Sequence, residues 1–70
     1  MTFSDRVYEI MRKKKMNQSA VARAAGFDPK VFNAMLRGRK LIRPEYINSI
    51  CEALDETPDV LFGFSDDQKN

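Results

Sequence analysis

Three residues, Gly26-Phe27-Asp28, separate two helix-forming segments near the middle of this chain. Before them, Asn17 is a good N-cap, Val21, Ala22 and Ala25 recur on one helical face, and Gly26 ends the segment. After them, Asp28-Pro29 has the order of an N-cap followed by a proline at the first helical position, where the missing N–H has no partner to lose. Phe27 before that cap and Phe32 at the fourth helical position have the spacing of a hydrophobic staple. Two helices joined this tightly cannot run antiparallel with long contact, so they must cross steeply. A steep crossing needs a small residue where the backbones approach, and Ala22 supplies one. The turn needs a residue that accepts a left-handed backbone, and Gly26 stands four positions later.

The rest of the chain is helical by the same reasoning, since no stretch alternates as a half-buried strand would. Phe3, Val7, Ile10 and Met11 stripe a first helix over 3–14. The third helix spans 29–37, anchored by Phe32 and Met35 and stopped by Gly38. Pro44 starts a fourth, with Ile47, Ile50, Cys51 and Leu54 on one face. Thr57-Pro58 introduces a short fifth over 59–62, closed by Gly63. The expectation is an all-α fold of five helices in one domain, 1–64, followed by a polar flexible tail, 65–70. Seventy residues bury only about 60% of their unfolded surface, so one modest core must hold everything together.

Several function classes fall away. There is no histidine, the lone Cys51 lies on an apolar helical face, and the acids have no ligand spacing. Three glycines form no phosphate-cradling loop, so neither catalysis, a metal, a cofactor nor a small-molecule substrate is expected. No apolar run approaches the roughly 20 residues that cross a bilayer. One cysteine excludes an internal disulfide and fits a reducing compartment, which points to the cytoplasm. The net charge of +2 conceals a division: residues 1–43 hold eleven basic and three acidic residues, leaving +8. Residues 44–70 hold one basic residue and seven acidic, leaving −6. A molecule with one strongly positive side is drawn to a polyanion.

Ala22, Gly26 and Phe32 at these intervals resemble the turn motif of the lambda repressor and Cro (XRE-like) helix-turn-helix family of phage and bacterial transcriptional regulators. The stretch Met16-Asn17-Gln18-Ser19-Ala20-Val21-Ala22-Arg23-Ala24-Ala25-Gly26 is similar to that family's second helix. Ala53-Leu54, followed by Thr57-Pro58-Asp59-Val60-Leu61-Phe62-Gly63, is similar to its final one. The resemblance implies a five-helix lambda-repressor-like domain whose helices 2 and 3 form the helix-turn-helix. It further implies sequence-specific binding of double-stranded DNA, with the recognition helix in the major groove and a homodimer on a palindromic operator. A helical module that kept the fold but binds a partner protein is the alternative; the acidic second half of the chain would suit it.

Lys30, Asn33, Ala34 and Arg37 fall at i, i+3, i+4 and i+7, one face of the third helix. A major groove admits one such helix, and base chemistry points Lys30 toward guanine acceptors, Asn33 toward adenine and Ala34 toward a thymine methyl. Asn17 and Gln18 open the second helix, where unpaired amides favour an anion, and the family sets a glutamine there against the DNA backbone. After Gly38, Arg39, Lys40 and Arg43 occupy a loop that in family members follows the sugar-phosphate chain. The run Arg12, Lys13, Lys14 and Lys15 either adds to this surface or only offsets the dipole at the end of its own helix. Val60, Phe62 and Phe64 either form the dimer interface or close the core of a monomer.

Three departures from the family stand out. Asp28 and Pro29 head the recognition helix; Pro29 lacks a donor, and Asp28 repels phosphate unless its carboxylate is engaged as a cap. Where relatives often bury an arginine against a glutamate, this chain has Met11 and Leu36, a pair of apolar side chains that can replace the ions without loss. The loop 39–43 is about one residue longer than in close relatives.

Overall fold

A computed structural model describes residues 2–63. Five α-helices follow one another: α1 (Phe3–Lys14), α2 (Gln18–Ala24), α3 (Pro29–Leu36), α4 (Pro44–Leu54) and α5 (Pro58–Phe62), with no strand among the described residues. Residues 64–70, including Phe64 and the expected tail, lie outside that range.

Short polar side chains set most of the starts. The Asn17 Oδ1 accepts the Ala20 N–H at 3.1 Å, the Asp28 Oδ1 accepts the Lys30 N–H at 2.8 Å, and the Thr57 hydroxyl accepts the Val60 N–H at 3.4 Å. At α1, Thr2 and Asp5 form a reciprocal capping box, with both backbone-to-side-chain bonds at 3.1 Å. The Thr2 backbone N–H and then its hydroxyl favour the charged form of Asp5, which holds this carboxyl below its ordinary value. Pro29, Pro44 and Pro58 each occupy the first turn of a helix.

The ends correct two expected boundaries by one residue. α3 stops at Leu36 rather than Arg37, because Gly38 turns left-handed (φ +81°) and the chain closes with Arg39 N–H donating to Ala34 O at 2.9 Å. Arg37 becomes the C-cap. α5 begins at Pro58 rather than at Asp59.

Twelve apolar residues form the core, with no buried polar side chain among the described residues. Val7, Phe32, Met35, Ile50, Leu54 and Leu61 are its largest fully buried members, each contributing roughly 1.5–3 kcal/mol of transfer free energy. α2 packs on α3 and α4, while α1 reaches α3, α4 and α5, so the helix-turn-helix is supported from both sides. Ala22 is fully buried, as a close crossing of α2 requires. Met11 and Leu36 lie in the same core at 5% and 4% exposure. The staple is present: the Phe27 and Phe32 rings stack at 6.1 Å. Tyr46 of α4 adds an edge contact on Phe27 at 5.0 Å, which ties the turn to a third helix.

Candidate nucleic-acid interface

α3 is two-sided. Phe32, Met35 and Leu36 are buried, whereas Lys30, Asn33 and Arg37 are exposed. Ala34 is half-buried, at the edge of the exposed face rather than on its crest. Pro29 begins the helix half-buried, and the Asp28 carboxylate is engaged by the Lys30 N–H, so the acid at this end has the capping role that the sequence required of it.

One contact joins two residues that the sequence placed in different sets. Gln18, at the first position of α2, donates from Nε2 to the Asn33 Oδ1 at 3.2 Å. An amide oxygen has two lone pairs, so Asn33 keeps one acceptor site and both Nδ2 donors for a further partner. The bond spans 15 residues and depends on how α2 meets α3, so spacing along the chain could not reveal it. Asn17 is also committed in part: its carbonyl caps α2, leaving the Nδ2 donors for an anion.

Beyond Gly38, Arg39, Lys40 and Arg43 are all exposed, and no described acid pairs with them. Leu41 stands among them, 72% exposed. Ile42 is half-buried against the core and anchors the loop. Together with Asn17 and Gln18, these cations flank α3 in sequence on both sides.

Within the basic run at the end of α1, Lys14 is engaged inside the fold. Lys14 Nζ donates to the carbonyls of Leu54 and Asp55 at 2.8 and 2.9 Å and lies 2.9 Å from the Glu56 carboxylate. It therefore offsets the dipole of α4, not only that of its own helix. The partner is 40 residues away, beyond the reach of local pattern.

Of the expected dimer residues, Val60 is half-buried against the core. Phe62 is 48% exposed, with its ring 5.5 Å from that of Phe3, and Phe64 lies outside the described residues. Cys51 is buried; burial, and then the nearby Glu56 charge, push its thiol up from the ordinary value.

Comparison with curated proteins finds no match. Residues 6–67, however, match the Cro/C1-type HTH DNA-binding domain, a span that takes in all of α2 to α5 and most of α1. With its lambda-repressor-like order of five helices and an exposed polar face on α3, the chain belongs to the Cro/C1-type HTH DNA-binding domain family.

Proposed function

We propose that this DNA-binding regulator recognises a specific operator in the manner of a phage repressor or Cro protein, acting in the cytoplasm without catalysis. Its binding unit is residues 1–64, and α3 with Arg37 enters the major groove. Lys30, Asn33, Ala34 and Arg37 meet base edges, while Asn17, Gln18, Arg39, Lys40 and Arg43 meet phosphates. The observation that carries this reading is the Gln18–Asn33 bond at 3.2 Å. It ties the residue at the N-terminus of α2, where an anion is favoured, to the middle of the exposed face of α3. A phosphate on Gln18 and a base on Asn33 then belong to one hydrogen-bonded unit, which gives register to the contact that specifies.

A single α3 of eight residues covers few base pairs. We therefore propose a two-fold homodimer on a palindromic operator, with Val60, Phe62 and Phe64 at the subunit contact and half-sites about 34 Å apart. Selection of bound fragments from random duplex DNA, followed by footprinting, tests this. An enriched inverted repeat with that spacing is the expected result. A lone non-palindromic half-site would remove the dimer, and no enrichment over random duplex would remove the operator reading.

A further inference from the structure

Leu41 is the most exposed large apolar side chain among the described residues. Its position argues against an idle surface residue. It lies between Gly38 and Pro44 in the same loop as Arg39, Lys40 and Arg43. Ile42 beside it is half-buried in the core, so the loop is held from beneath while Leu41 remains outside. Leu41 also lines a shallow concavity with Met35, Ile42 and the cations Arg39 and Lys40, so the exposed leucine shares one surface with the charges that would meet phosphate.

On the proposed mode of binding, the loop that leaves α3 runs along the sugar-phosphate strand that bounds the major groove. The cations on either side of Leu41 suit the phosphates of that strand; a leucine does not. Its available partners are the C–H faces of the deoxyriboses and, past them, the wall of the minor groove. That groove shows only acceptors at A·T pairs, whereas a G·C pair adds the guanine 2-amino group, a polar donor an apolar side chain cannot satisfy.

We propose that Leu41 makes an apolar contact with the deoxyribose edge and wall of the minor groove next to the α3 site, and disfavours sequences that place a 2-amino group there. The proposal rests on the DNA-binding reading above. It predicts a preference for poly(dI·dC) over poly(dG·dC), two duplexes that differ in the minor groove by the 2-amino group. Salt titrations of the parent, Leu41→Ala and Leu41→Met proteins on both polymers test it. Leu41→Ala should weaken poly(dI·dC) binding about five- to tenfold, as expected when an exposed leucine is buried on docking. It should affect poly(dG·dC) less, leave the salt slope unchanged and leave the melting temperature unchanged, while Leu41→Met keeps most of the affinity. Equal weakening on both polymers, no weakening, or a lowered melting temperature would overturn the proposal. A parent that binds neither polymer in a salt-sensitive way would sink the DNA reading itself, an outcome distinct from failure of Leu41 alone.

Discussion

The ammonium of Lys14 lies 2.9 Å from the Glu56 carboxylate and donates to two carbonyls at the end of α4, those of Leu54 and Asp55. The last carbonyls of a helix have no partner within it, and here a side chain from α1 supplies one. Just past α4, Asp55 adopts a left-handed backbone (φ +57°) without being glycine, a conformation that raises the need for such support. Lys14→Met keeps the aliphatic stem and removes the charge, so it should cost about 1–2 kcal/mol. Urea denaturation should show a lower midpoint at unchanged slope. The exposed Arg12, changed to Met as a control, should stay within about 0.5 kcal/mol of the parent.

Met11 and Leu36, two of the departures from the family pattern expected from sequence, both lie in the core. Either one changed to alanine should cost about 2–4 kcal/mol. If the two side chains touch, the double variant should depart from additivity by at least about 0.5 kcal/mol. Met11→Arg alone buries an unpaired charge and should cost more than about 3 kcal/mol, with part of that recovered when Leu36→Glu is added. Thermal melts of the five proteins decide the matter; strict additivity would mean that the two positions act separately.

Affinity should follow the loop cations on the proposed mode of binding. Arg39, Lys40 and Arg43 in two subunits would displace about 6 counterions, so log affinity against log salt should fall with a slope of about −5. Arg39→Ala or Lys40→Ala should weaken all duplexes alike and flatten that slope by about one unit per lost contact in each subunit. Fluorescence anisotropy at several salt concentrations reads both effects.

Asn33→Ala should behave in the opposite way, relaxing preference at one base position by about 1–3 kcal/mol at an unchanged slope. Gln18→Ala should reproduce part of that loss, because it releases the Asn33 amide held at 3.2 Å. A Gln18 variant with full discrimination at that base would separate the two residues.

Cys51 should be silent toward alkylating reagents. Its buried thiol is shifted up by burial and by the Glu56 charge, and a thiolate is the reactive form. Iodoacetamide at pH 8 should label the protein only after unfolding in urea. A thiol raised in the folded state favours folding fully below its unfolded pKa of about 8.5, and this support fades as pH climbs through the folded value. Melting temperatures from pH 8 to 10 should therefore fall less in Cys51→Ala than in the parent.

Local chemistry made most of the fold legible. Asn17, Asp28 and Thr57 cap helices as their residue types suggest, and three prolines stand in first turns. The Thr2–Asp5 box is equally local, a Thr-x-x-Asp spacing that the apolar stripe of α1 does not reveal. Gly38 could also have fixed the end of α3, since a left-handed glycine stands just after the C-cap and so makes Arg37 that cap. Neither the grip of Lys14 on α4 nor the Gln18–Asn33 bond was legible. Both depend on distances between helices, which no spacing within a helix encodes.

Gly26 has φ +88°, and a Cβ built on it would meet nothing within 4 Å. Substitution there would cost only the left-handed conformation of a residue with a side chain, about 1–2 kcal/mol, and would displace no neighbour. The direction in which α3 leaves the turn is thus written in backbone torsions, in half-buried Phe27 and in buried Phe32, none of them on its outer face. Apart from Asn33, which accepts from Gln18 across the joint, heritable change on that outer face is decoupled from change in the joint. On the proposed mode of binding, a lineage can revise Lys30 and Arg37 step by step, each variant folding as its ancestor did, and so move to a new address on a chromosome without passing through a misfolded intermediate.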